Sequence, residues 1–173
     1  MLIPEIKVLY PEVRTLPEFD LGDSWALRIC GESGCGKTTY LNSLALELKR
    51  LGKTVLYQNQ SRNFPNGYTP FSYARLINAG QDFFHILSTL DLDLSKDFSQ
   101  MSGGELQRVA IGECLVSQCE FILLDETFNA IDAARIMQVI RLLGEHSKKH
   151  QIVIIYISHL DIEFENEQRF YLD

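Results

Sequence analysis

The stretch Gly31-Glu32-Ser33-Gly34-Cys35-Gly36-Lys37-Thr38 constrains the fold more than any other part of this chain. It fits G-x-x-x-x-G-K-[ST] and has the flanks that the pattern needs. Before it runs the apolar segment Trp25-Ala26-Leu27-Arg28-Ile29-Cys30. After it, Leu41, Leu44, Leu48 and Leu51 recur at i, i+3 and i+4 steps from Lys37 to Leu51, and Gly52 stands where a helix-ending glycine belongs. Strand, glycine loop and helix in that order make an anion nest. The glycines let the loop curl, its N–H groups point inward, and the helix start adds its dipole. Lys37 is the point charge for β- and γ-phosphates, and the Thr38 hydroxyl is placed to ligate Mg²⁺. Thr39 belongs to the same cofactor-binding stretch. Without the flanks, this would be a glycine-rich turn with an exposed lysine.

Other apolar runs also end on polar, chemically capable residues. Thr54-Val55-Leu56-Tyr57 runs into Gln58, Phe121-Ile122-Leu123-Leu124 into Asp125 and Glu126, and Ile152 to Ile157 into Ser158 and His159. Runs this short, β-branched and without strict alternation are expected to be strands buried on both faces, the mark of a parallel sheet. Helical patterns separate them, at Lys37 to Leu51, Gly104 to Ser117 and Ala133 to Lys149. The expected fold is α/β: a mostly parallel sheet flanked by helices, with its ligand site at the carboxyl ends of the strands. Each polar residue named above falls at such an end. Residues 1–30 carry short strand-like pieces around Tyr10-Pro11 and Leu21-Gly22-Asp23, read as an antiparallel edge. Residues 61–101 open with a loop and continue as a small helical insert from Tyr73 to about Met101.

A length of 173 residues implies one domain that can bury a core without disulfide or metal support. Sixteen Lys plus Arg against 23 Asp plus Glu leave a net charge of −7, so nucleic acid is not expected as an obligatory partner. The N-terminus, with Pro4, Glu5 and Lys7, does not read as a signal peptide, and Ile152 to Ile157 is far shorter than the ~20 residues that span a bilayer. Cys30, Cys35, Cys114 and Cys119 form two C-x4-C pairs with no histidine at zinc-ligand spacing, so reduced, packed thiols in a cytosolic protein are expected. Cys35, inside the electropositive loop, is read either as an oxidation-sensitive thiol or as a passive small residue.

Asp125, ending a buried strand near the phosphate loop, is expected to hold Mg²⁺ through its water shell. Glu126, just beyond it, is the candidate general base for an attacking water. A solvated Asp-Glu pair opening a loop is the plainer alternative.

Ser102-Gly103-Gly104-Glu105-Leu106-Gln107-Arg108, lying between those two motifs, resembles the signature motif of ATP-binding cassette (ABC) proteins. The same residues also read as a capping box, with Ser102 as N-cap and Glu105 three positions on. The resemblance covers nearly the whole chain and implies a P-loop NTPase fold. Its nucleotide-binding core would comprise residues 1–60 and about 110–173, and its short helical subdomain about 61–109. It implies an Mg-dependent ATPase in which Glu126 is the catalytic glutamate, Asn129-Ala130-Ile131-Asp132 the D-loop, and His159 the switch histidine on the γ-phosphate. Two cassettes, identical or paralogous, would pair head to tail on ATP. ATP on Lys37 of one would be covered by Ser102, Gly103, Gly104 and Glu105 of the other.

Two assignments from the resemblance stay open. The glutamine that reaches Mg²⁺ is Gln58, favoured by strand register, or Gln60. Tyr10 stacks on adenine or is a packed turn residue. This sequence also departs from the family pattern. Only 21 positions separate Lys37 from Gln58, the helical insert is short, Thr127 stands where proline is usual, and 14 residues follow His159, too few for a regulatory tail. The function expected is to energise a separate membrane permease from the cytoplasmic side. The alternative is a soluble, nucleotide-controlled clamp or regulator.

Overall fold

A computed structural model describes residues 2–3, 5–8, 14–16, 18–59 and 63–172. The N-terminal segment forms two short antiparallel pairs. Strand β1 (Leu2–Ile3) lies against β4 (Phe19–Asp20), and β2 (Ile6–Val8) against β3 (Arg14–Leu16). The antiparallel edge is therefore present, but Leu21-Gly22-Asp23 is not one of its strands. It is a turn: Gly22 has φ 53°, its N–H donates to the Asp20 carboxylate at 2.9 Å, and Ser24 N–H donates to Leu21 O at 2.9 Å. An aspartate side chain bonding the amide two residues on stabilises a turn and competes with strand pairing. Tyr10-Pro11 lies outside the described residues.

The main sheet is parallel throughout. Its five strands are β5 (Ala26–Cys30), β6 (Val55–Asn59), β7 (Phe121–Asp125), β8 (Val153–Ile157) and β9 (Glu167–Tyr171), in the order β6-β7-β8-β5-β9. Strands β7 and β8 are buried along their full length, which explains their unbroken apolar sequence. Strand β9 was not legible, since Glu-Gln-Arg-Phe-Tyr at a half-exposed sheet edge carries neither an apolar run nor clean alternation.

Helix α1 (Lys37–Arg50) covers one face. Its Leu41, Leu44 and Leu48 pack with Leu27, Ile29, Leu123 and Ile155, each large side chain contributing roughly 2 kcal/mol by leaving water. The helix ends as its sequence implies: Gly52 has φ 78°, Gly52 N–H bonds Lys49 O, and Lys53 N–H bonds Leu48 O. The chain then passes straight into β6. The other face is covered by α4 (Gly103–Val116) and α5 (Ala133–His150), through residues such as Val109, Cys114, Val139 and Leu143 against Ile122, Leu124 and Ile154.

The insert is two helices rather than one run, α2 (Pro70–Leu76) and α3 (Gln81–Thr89), followed by a 3₁₀ turn at Phe98–Gln100. Phe83, Leu87 and Phe98 join the α4 side of the core. Gly112 makes this packing possible, since a Cβ there would overlap Leu87 and stand 3.3 Å from Phe83. Among the described residues, no helix is long and apolar enough to cross a membrane.

Candidate functional site

The phosphate loop joins the carboxyl end of β5 to the start of α1. Gly34 and Gly36 have φ of 86° and 98°, conformations that cost a glycine little. Gly31 is needed for space as well, because a Cβ would stand 2.6 Å from Leu172 O and 2.7 Å from Cys35 Sγ. Gly36 is the N-cap of α1 and supplies no side-chain cap, so the first-turn N–H groups of this helix are left without one. Lys37 Nζ folds back to donate to Gly31 O at 2.9 Å and Glu32 O at 2.7 Å, pinning the curled loop. Glu32 and Ser33 are exposed on its rim. The Thr39 carbonyl accepts the Ser43 hydroxyl at 2.9 Å.

The buried Asp125 carboxylate ends β7 beside this loop. Thr38 Oγ1 donates to its Oδ1 at 3.1 Å, and the Tyr57 hydroxyl donates to its Oδ2 at 3.1 Å. Burial, with the Asp125 charge added, pushes the Tyr57 hydroxyl well above its ordinary pKa and keeps it a donor. The oxygen donors of Thr38 and Asp125, converging at a phosphate loop, fit a hard cation such as Mg²⁺.

Glu126 follows with φ 54°, a conformation that costs a non-glycine residue energy and is seen where a site demands it. Its N–H is tied to Ile157 O at 3.1 Å, which links the ends of β7 and β8. One carboxylate oxygen lies 3.0 Å from His159 Nε2, and the other accepts from Asn129 Nδ2 at 2.8 Å. Glu126 is thus held at both oxygens, next in sequence to the carboxylate that faces Thr38.

Ser102, Gly103, Gly104 and Glu105 form a second group at the start of α4. The capping box is complete: Glu105 N–H donates to Ser102 Oγ at 3.3 Å, and Ser102 N–H donates to Glu105 Oε2 at 2.7 Å. Lys96 Nζ reaches both Glu105 oxygens at 2.9 Å, and with the Ser102 bonds it holds the carboxyl down to about 2. Gly104 rests on the turn 129–132, where a Cβ would overlap the Ala130 carbonyl. Asp132 caps α5 and pairs with Arg108 at 3.5 Å.

One expected ligand is corrected. Gln58 is fully buried on the opposite face of β6, where its Nε2 donates to Glu113 Oε2 at 2.9 Å, and Tyr73 bonds the other Glu113 oxygen. Strand period explains this. Asn59 is the register partner of Asp125, so Tyr57 and Asn59 share the Asp125 face and Gln58 points away. Gln60 and Tyr10 lie outside the described residues. Tyr57 is not among the expected residues; the pairing of β6 with β7 is what puts it on Asp125. All four cysteines are free thiols; Cys114 is buried, and Cys35 lies against Gly31.

The family model for "ABC transporter" matches residues 17–129, more than half of the chain. The chain belongs to the ABC transporter family. This ABC chain is 30% identical over 163 residues to the molybdate import ATP-binding protein MolC of Haemophilus influenzae, across 82% of this chain and 64% of that protein. It is 31% identical to the molybdenum import ATP-binding protein ModC of Rhizobium etli, across 75% of this chain and 45% of that protein. It therefore spans between under half and about two-thirds of the length of these relatives. A solved dimer of the ATP-binding cassette MJ0796 in a post-hydrolysis state, bound to ADP and Pi, superposes with a TM-score of 0.70 at 19% identity. The match covers 92% of this chain and 88% of that one. The shared fold is the P-loop NTPase α/β fold.

Proposed function

We propose that this ABC cassette binds and hydrolyses ATP with Mg²⁺, closes head to tail with a second cassette on ATP, and drives a separate membrane permease from the cytoplasmic side. One observation carries the hydrolytic reading. Glu126 is fixed at both carboxylate oxygens by His159 and Asn129, immediately after the Asp125 that faces Thr38. That geometry fits a general base poised beside a phosphate cradle.

The chain's own residues divide the work as follows. The loop amides from Gly31 to Gly36 and the Lys37 ammonium bind the triphosphate, with Thr38 and Thr39 continuing the cradle into α1. Thr38 and Asp125 would hold Mg²⁺, which when bound neutralises phosphate charge. Glu126 takes the proton of the attacking water at a carboxylate oxygen. His159 and Asn129 set the direction of that oxygen. Ser102, Gly103, Gly104 and Glu105 of one cassette cover the nucleotide of the other, so the site is completed by the partner copy. Tyr10 takes the stacking role on adenine.

The test is Glu126→Gln. ATP affinity should stay within about twofold while turnover falls roughly 100- to 1,000-fold, and the ATP-bound dimer should accumulate in light scattering. Near-normal hydrolysis would remove Glu126 from this role. Transport is supported by the import proteins among the relatives. Isolating the ATP-locked variant from solubilised membranes should bring down a protein with several spans of ~20 apolar residues. The direct passage of α1 into β6 favours the second reading, a soluble clamp or regulator, which predicts a soluble companion instead.

A further inference from the structure

Arg28 sits in the middle of β5, just before the strand enters the phosphate loop. Its donors go to main-chain carbonyls on the neighbouring connection. Nη1 donates to Ile162 O at 2.9 Å, and Nη2 donates to Ser158 O at 3.1 Å and Leu160 O at 2.8 Å. The guanidinium also lies over the Tyr156 ring, 5.9 Å from its centroid. Two of the three carbonyls belong to the residues immediately before and after His159.

Residues 158–162 have no regular secondary structure, and the His159 side chain is 59% exposed, so packing does little to fix it. What holds it is its contact with Glu126 and the course of the main chain on either side. That course folds around Arg28. Ser158 Oγ accepts the Leu160 N–H at 3.0 Å, and Leu160 O accepts the Ile162 N–H at 3.0 Å. A planar fork of donors directs several carbonyls at once with little loss of side-chain freedom, whereas a lysine ammonium would satisfy fewer of them. The fork adds donors to carbonyls that the local bonds satisfy only in part, and a carbonyl left short of donors is costly, so removing the fork should loosen this conformation.

We propose that Arg28 is a positioning residue for His159. From the strand that feeds the phosphate loop, it sets the backbone that presents the imidazole to Glu126. The inference rests on the reading above in which His159 acts in turnover.

The experiment compares Arg28→Gln, Arg28→Lys, His159→Ala and the double variant Arg28→Gln/His159→Ala, in single-turnover ATP hydrolysis, ADP titration and amide exchange. Arg28→Gln should lower turnover roughly 10- to 100-fold, as misplacement of a reacting group by about 1 Å does. Arg28→Lys should lower it less. ADP affinity should stay within about twofold, and exchange at Leu160 and Ile162 should rise at least about tenfold. In the His159→Ala background, the same Arg28→Gln change should cost less than about twofold, because positioning an absent side chain has no value. Equal losses in both backgrounds, or unchanged turnover in Arg28→Gln, would overturn the inference. Should Arg28→Gln fail to fold, Arg28→Lys in the two backgrounds makes the same comparison and decides it by the same rule. Normal turnover in His159→Ala alone would instead sink the parent reading, and this inference with it.

Discussion

Two helices start at glycine-rich turns in this molecule, and they are finished in opposite ways. Helix α1 begins at Gly36 with no side-chain cap and no acidic residue in its first turn. Helix α4 begins at Ser102 with a complete capping box, and Glu105 is neutralised by Lys96. Unmatched N–H groups at a helix start are a cost unless something fills them. The open start fits a site whose anion comes from solution, and the closed start fits a rigid element presented to someone else's ligand. If so, damage to the first should abolish nucleotide binding by a single copy, and damage to the second should spare it.

The largest effect is expected at the open start. Lys37→Ala removes both the ammonium charge proposed to meet the phosphates and the two bonds that pin the loop to Gly31 and Glu32. ATP affinity should fall by more than about 100-fold, since charge-assisted bonds are worth several kcal/mol together. Unchanged affinity in a calorimetric titration would break the contrast between the helices.

Gly104→Ala attacks the closed start, where a Cβ would overlap the Ala130 carbonyl. Overpacking against backbone should cost about 1–3 kcal/mol of stability in denaturant unfolding. Monomer binding of ATP should be retained, and ATP-dependent dimerisation of the Glu126→Gln background lost. Dimerisation that survives would separate the signature turn from the proposed interface.

Tyr57→Phe sharpens the contrast inside the open site. It frees Asp125 Oδ2 while leaving the Thr38 bond in place. The Mg²⁺ or Mn²⁺ concentration at half-saturation should rise roughly tenfold, with metal-free ATP binding unchanged. A binding isotherm identical to that of the parent chain would reduce Tyr57 to core packing.

How far the sequence carried these readings depends on the range of the interaction that fixes each residue. The loop, the helix after it, the buried strands and the Ser102–Glu105 cap are set by neighbours within a few positions, and all were legible. Strand register favours Gln58 at the end of β6, but only pairing with β7 shows which face it takes, and that face is turned away from Asp125. Strand β9 and the break between α2 and α3 depend on partners far along the chain. The Arg28 fork is likewise invisible in sequence, since Arg28 and Ser158 meet only because β5 and β8 are neighbours.

The smallest effect concerns what the closed start contributes to folding. Lys96 and the Ser102 bonds hold the Glu105 carboxyl down to about 2, against 4.5 without them. A depressed carboxyl stabilises the fold fully above pH ~4.5, and that contribution disappears as the pH falls toward 2. The group is partly exposed, so solvent screening limits the gain to about 0.5–1 kcal/mol, or roughly 1–4 °C in melting temperature. Glu105→Gln should therefore melt a few degrees below the parent chain at pH 6, and the gap should narrow as the pH falls from about 4.5 toward 2. The carboxyl's charge is the only thing that changes over that interval in one protein and not in the other. A constant gap would mean that Glu105 acts at this helix start through shape alone, which a glutamine reproduces poorly but without regard to pH.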